Sequence, residues 1–83
     1  MAKYRRINEQ GWEVVYEVPE DLERLLDAKG MVAGATDGAS DLATILARLY
    51  ITAAKNGFSL QTTAVNEGER RLDVTVVDLR AGG

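Results

Sequence analysis

The sequence contains no cysteine and no histidine. Without cysteine there is no disulfide framework, no thiolate nucleophile and no soft metal site. Without histidine there is no imidazole base near neutral pH and no histidine ligand for zinc. The commonest catalytic triads and zinc-hydrolase mechanisms are therefore excluded, and the remaining carboxylate, lysine and tyrosine chemistry needs a deep pocket to tune its pKa values. We expect a protein that is not an enzyme and that has no cofactor.

The chain is also short, with 83 residues and a mass of 9.0 kDa. A chain of this mass forms one domain and buries about 63% of the surface that it exposes when unfolded. The single core is therefore near the lower limit for unassisted stability, and no disulfide or Cys/His metal site can support it. Self-association would stabilise such a chain by burying additional apolar surface.

Long hydrophobic runs are missing as well. No window approaches the roughly 18 apolar residues that span a bilayer, and the basic first eight residues lack the apolar segment of a signal peptide. We therefore predict no membrane association and a cytoplasmic location. The 13 acidic residues outnumber the 10 basic ones and give a net charge of −3, which does not favour nucleic acid as a partner because such binding depends on neutralising phosphates.

Alternating apolar and polar residues predict four strands, over residues 3–8, 12–18, 58–65 and 71–79. Turn residues at 8–11 and 66–69 predict that these strands form two hairpins. A short helix is predicted over 20–29 with Gly30 as its C-cap, followed by a glycine-rich connector over 31–39. A second helix is predicted over 41–55 with Ser40 as its N-cap. The order β-β-α-α-β-β predicts an α+β two-layer sandwich, with a four-stranded antiparallel sheet and two helices on one face. Residues 1–79 would form the single domain and 80–83 a flexible tail.

The second helix is apolar around most of its circumference. Only Thr44, Arg48, Thr52 and Lys55 form a polar strip, and a helix of this kind is buried on more than one side. Apolar side chains also fall on the strand faces opposite the main alternation. These two sets predict a partner surface that contains Val15, Tyr50, Ile51, Val77 and Leu79.

The first functional hypothesis follows from this excess of apolar surface. The chain is interpreted as a small protein–protein interaction module, such as an inhibitor, adaptor or assembly factor of bacterial or phage type. It would self-associate as a homodimer through the second helix and the sheet.

A second hypothesis comes from the end of the chain, where a strand is followed by Leu79-Arg80-Ala81-Gly82-Gly83. This ending resembles the ends of ubiquitin-like proteins and sulfur carriers. In those families the terminal glycine carboxylate is adenylated and transferred, so the resemblance implies conjugation through Gly83. The long apolar helix over 41–55 departs from those folds, and the carrier function is therefore kept as an alternative.

A third hypothesis concerns five cations on the first and last predicted strands, namely Lys3, Arg5, Arg6, Arg70 and Arg71. If those two strands are neighbours, the cations form a basic cluster that could bind an anion or nucleic acid weakly. The competing interpretation is a set of solvated edge charges that discourage strands of other molecules from pairing.

Overall fold

The computed structural model describes residues 2–78, and within them the chain forms four strands and two helices. The elements are β1 (Ala2–Ile7), β2 (Glu13–Val18), α1 (Ala28–Thr36), α2 (Leu42–Lys55), β3 (Phe58–Asn66) and β4 (Arg71–Asp78). The prediction of an α+β fold is confirmed. Leu79 and the predicted tail over 80–83 lie outside the described residues.

The sheet has the strand order β1-β2-β4-β3 and is mixed. β1 pairs with β2, and β3 pairs with β4, as two antiparallel hairpins, but the central strands β2 and β4 run parallel to each other. The prediction of a fully antiparallel sheet is therefore wrong. The long connection that the parallel neighbours β2 and β4 require consists of the two helices and β3. The helices lead to β3 at the edge of the sheet, and the β3–β4 hairpin then places β4 beside β2.

One face of the central strands is almost fully buried. The buried side chains alternate along both strands, as expected for a half-covered sheet, and they are Val14, Tyr16, Val18, Leu72, Val74 and Val76. α1 lies against β1 and β2, while α2 lies against β3 and against α1. The opposite face of the sheet carries Glu13, Val15 and Glu17 from β2, which are only partly buried.

The first helix begins later than its predicted position. Residues 20–25 form turns, so the predicted helix over 20–29 is wrong. The predicted connector over 31–39 is largely helical. The side chain of Asp27 caps α1 by accepting a hydrogen bond from the backbone N–H of Gly30 at 3.1 Å. Burial of Met31, Val32 and Ala35 outweighs the cost of about 1 kcal/mol that each glycine imposes on a helix.

The second helix occupies nearly its predicted range, but Asp41 takes the N-cap position that was predicted for Ser40, and it does so without a side-chain hydrogen bond. Gly38 precedes it with a φ of +76°, a conformation that favours glycine. No helix within residues 2–78 is long and apolar enough to cross a membrane.

Candidate interaction surface

The open face of the sheet is covered by ion pairs between neighbouring strands. Lys3 Nζ on β1 lies 3.4 Å from Glu17 Oε1 on β2. Arg5 on β1 and Arg71 on β4 both contact the carboxylate of Glu13, which lies between them on β2. The Glu13 side chain is only 17% exposed, whereas the side chains of Arg5 and Arg71 are 64% and 49% exposed. The charges of this face are therefore largely satisfied within the chain.

The five predicted basic residues do not form one cluster, because β2 separates β1 from β4. Arg6 points to the helical side, where its Nη2 donates to both carboxylate oxygens of Asp37 at 2.9 Å. Arg70 lies in the β3–β4 turn and donates to the backbone carbonyl of Gln10. The cations thus meet acceptors of this chain in three different places, which leaves no continuous basic patch among them.

The residues predicted to bind a partner lie on two opposite sides of the molecule. Val15 and Val77 are on the open face, where Val77 lies four residues beyond the β4 partner of Val15, a distance of about 13 Å along the strand. Tyr50 and Ile51 lie in the helical layer and are 40% and 56% exposed. Leu79, like the Gly83 of the conjugation hypothesis, falls outside residues 2–78. The structure therefore does not gather these residues into one surface.

The two edge strands of the sheet differ sharply in charge. β1 carries three cations in six residues, whereas the nine residues of β3 include none with a charge. A β-bulge between Thr62 and Ala64 interrupts the pairing with β4 and leaves a regular segment over 58–62. Edge strands expose unpaired backbone groups, and proteins commonly protect such strands with charged residues, prolines or bulges. β1 has the charges, while β3 has only the bulge.

One side of α2 continues the uncharged surface of β3. The Tyr50 hydroxyl lies 3.1 Å from Thr62 Oγ1, which places this side of the helix beside β3. At 3.6 residues per turn, several exposed residues share the outer surface of the helix with Tyr50. We call this combined surface the β3–α2 flank; it consists of Ala43, Ala47, Tyr50, Ile51, Ala54 and strand β3.

Arg48 and Lys55, the charged residues of α2, lie roughly 140–160° around the helix from Tyr50, beside Ile51 at the border of the flank. Arg48 Nη1 donates to the backbone carbonyl of Asp37 at 3.1 Å, at the end of α1. The sequence pattern identified Tyr50 and Ile51 but missed β3. The missed signal was present in the sequence, because residues 56–66 contain no charged residue in a chain that is 28% charged.

Asn8 is a second residue whose role was missed, since the sequence identifies it only as a turn residue. It is 6% exposed. Its Nδ2 donates to the carbonyls of Thr36 at 2.7 Å and Ala39 at 2.8 Å, and its Oδ1 accepts from the backbone N–H groups of Gln10 at 3.0 Å and Trp12 at 2.9 Å. Asn8 therefore joins the β1–β2 turn to the connection between the helices.

A small cavity of about 170 Å³ lies beside two stacked tyrosines on the helical side of the sheet. The rings of Tyr4 and Tyr16 are 5.1 Å apart between centroids, and Arg6 and Lys29 also line the cavity. The Tyr16 hydroxyl is buried without a hydrogen-bond partner among the described residues. Burial, reinforced by the nearby Tyr4 and Asp27, raises the pKa of Tyr16 well above its ordinary value. Among residues 2–78 no carboxylate lines this cavity, so these residues place no paired acid and base there.

Residues 2–78 thus form an open sheet face whose charged side chains pair with one another, and an uncharged β3–α2 flank that no other part of these residues covers. No three potential metal-binding side chains meet within these residues. No protein-family model, no curated protein and no solved structure matches the chain.

Proposed function

We propose that the protein is a non-enzymatic protein–protein interaction module, and that the β3–α2 flank is its binding surface. The observation that carries the proposal is a nine-residue edge strand without a charged side chain, next to an exposed apolar side of a helix. An exposed edge strand can accept a strand from another polypeptide through backbone hydrogen bonds. The outer side of α2 would add apolar contacts to that pairing.

The proposal uses part of the surface that the sequence predicted. Tyr50 and Ile51 belong to the flank, whereas Val15 and Val77 lie on the opposite face. Val15 is partly buried, and the residues around it are engaged in ion pairs within the chain. At the β3 edge, by contrast, no strand within residues 2–78 lies on the outer side of the backbone.

Site-specific photo-crosslinking tests this proposal in the cells that produce the protein. A photoreactive phenylalanine derivative replaces Tyr50 in one variant and Leu25 in another. Leu25 is the matched control, because it is also an exposed apolar residue, at 61%, but it lies in the turns before α1. We expect a covalent adduct with a polypeptide from position 50 and none from position 25.

A second pair of variants tests whether β3 itself takes part. Gln61→Lys places a charge on the exposed edge strand, and Gln10→Lys makes the same change in the exposed β1–β2 turn. Because lysine on an edge strand hinders pairing, Q61K should reduce the adduct from position 50 and Q10K should not. Equal adducts from positions 50 and 25, or no adduct from position 50, would contradict the proposal.

A further inference from the structure

We infer that the polypeptide bound by the β3–α2 flank is a second copy of this chain. The two β3 strands pair antiparallel around a twofold axis at Leu60, which joins the two sheets into one of eight strands. This inference rests on the proposed function, since it names the partner of the same surface.

Charge favours a second copy at this surface. Each chain carries a net charge of −3, so two copies repel each other wherever their charged surfaces meet. The flank has no charged side chain, and two copies can therefore meet there without a local repulsion. Antiparallel pairing of a strand with its own copy is also symmetric, as a closed twofold dimer requires.

The bulge fixes the centre of the pairing. Regular pairing with β4 extends from Phe58 to Thr62, shifts register before Ala64 and resumes from Ala64 to Asn66. The segment over 58–62 is the longer of the two regular edges, and Leu60 is its middle residue. A twofold axis there places Ser59 of one copy opposite Gln61 of the other.

Helix spacing is consistent with this sheet. Neighbouring strands lie about 4.8 Å apart. Because two helices cover four strands, each helix covers two strands, which is a width of about 10 Å of the sheet. If the sheet continues through β3 at the same spacing, the two α2 helices are also about 10 Å apart. That separation is a normal one for packed helices, and it buries the Tyr50 side of each helix against its copy.

The helix contacts across the axis can be derived from the fold. Only Asn56 and Gly57 separate α2 from β3, so the two elements run in opposite directions. The contact between Tyr50 and Thr62 places Tyr50 near the axis. Two antiparallel helices centred there bring Ala47 of one copy close to Ala54 of the other.

The molecular mass of the purified full chain tests the dimer. Sedimentation velocity should give about twice the mass of one chain, 9.0 kDa, for the unmodified protein and for Q10K. Q61K should sediment as a monomer at the same concentration. Circular dichroism melting curves show whether each variant is folded. A folded Q61K that remains dimeric would refute pairing through β3.

Charge substitutions on the helix test the second part of the interface. A47E and A54K each place an uncompensated charge between the helices, so each alone should weaken the dimer by roughly tenfold or more. The double variant A47E/A54K brings opposite charges together across the axis and should recover most of the loss. These positions are seven residues apart in one helix and do not form an i,i+4 pair. Absence of recovery in a folded double variant would contradict the helix arrangement.

Disulfide formation tests the register of the two β3 strands. Because the sequence has no cysteine, introduced cysteines can form disulfides only with each other. S59C and Q61C, carried on chains with tags of different size, are mixed and oxidised. Residues directly opposite in a sheet are close enough for a disulfide, whereas like residues two positions out of register are about 7–8 Å apart, beyond the usual range. The mixed disulfide should therefore dominate over both self-disulfides.

The outcomes separate this inference from the proposed function. A purified chain that is monomeric, although position 50 still forms an adduct with another polypeptide in cells, would overturn self-pairing and leave the interaction module intact. A dimer whose S59C variant crosslinks efficiently to itself would overturn the axis at Leu60. If the purified chain is monomeric and position 50 forms no adduct in cells, both the inference and the proposed function are contradicted.

Discussion

Replacement of Asn8 by alanine should destabilise the fold strongly, although the residue lies in a turn. Asn8→Ala removes four side-chain hydrogen bonds from a site that is 6% exposed. At roughly 1 kcal/mol for each bond, the expected loss in the free energy of unfolding is about 3–4 kcal/mol. A chain of this length has about 4–12 kcal/mol in total, so the melting temperature should fall by about 15–25 °C.

The assay is urea and thermal unfolding followed by circular dichroism, with Asn66→Ala as the matched control. Both asparagines precede a glutamate in a hairpin turn, but Asn66 is exposed and its side chain accepts one hydrogen bond, from the backbone N–H of Glu69. Asn66→Ala should therefore cost less than about 1 kcal/mol. Asn8→Asp retains the size of the side chain but places an oxygen against the carbonyls of Thr36 and Ala39, so it should be at least as destabilising as Asn8→Ala. A stable Asn8→Asp variant would refute the assigned hydrogen bonds.

Three further predictions concern stability and are measured by the same unfolding curves. Gly34→Ala should stabilise the protein by about 0.5–1 kcal/mol, because a Cβ at this exposed helical position meets no described atom within 4 Å apart from its chain neighbours and the nearby helix backbone. Gly38→Ala should destabilise the protein by about 1 kcal/mol because of the positive φ at this position. Equal effects of the two changes would contradict the backbone assignment. Tyr16→Phe should leave stability at pH 7 unchanged or raise it by about 1 kcal/mol, since it removes a buried hydroxyl that has no hydrogen-bond partner within residues 2–78. The raised pKa of Tyr16 means that the unfolded chain ionises first as the pH rises above about 10, so stability falls there, and the fall should be smaller in the variant. Glu13→Gln should cost about 1 kcal/mol, and this cost should shrink in high salt because its two arginine partners are exposed; a cost that does not depend on salt would argue against the ion pairs.

The hairpins could be predicted from the sequence because they depend on neighbouring residues. The turn before Trp12 contains Gly11 with a φ of +83°, as its sequence indicates. The second turn also closes an antiparallel pair, but its positive φ belongs to Arg70, at 54°, and not to a glycine. Local turn chemistry thus predicted which strands form hairpins without fixing the conformation of every turn residue.

The first helix shows where local signals mislead. Three glycines at positions 30, 34 and 38 favour a flexible connector by propensity, yet two of them lie within α1. The decisive contribution is the burial of apolar side chains against the sheet and α2, which depends on elements far away in the chain. The acidic residues after Pro19 resemble a helix start, but the turns that they form bury Leu22 and Leu26 without a helix.

The candidate surface was also predictable only in part, because it depends on which elements far apart in the chain become neighbours. Helical spacing alone identified the exposed side of α2 that contains Tyr50. The basic cluster depended on β1 and β4 being neighbours, and the insertion of β2 with Glu13 between them turned separate cations into ion pairs. The absence of charge in β3 is visible in the sequence, but it indicates a binding surface only because the structure places that strand at an edge of the sheet.

Local sequence patterns predict the number and order of the elements and the buried face of the two central strands, β2 and β4. These properties follow from alternation, turn residues and helical spacing, which act over a few residues. Three further features become visible only in the folded chain: β2 and β4 are parallel neighbours, β3 is an edge strand, and Asn8 reaches the connection between the helices. Those outcomes depend on how the helical crossover places distant segments side by side, and no local pattern specifies that choice.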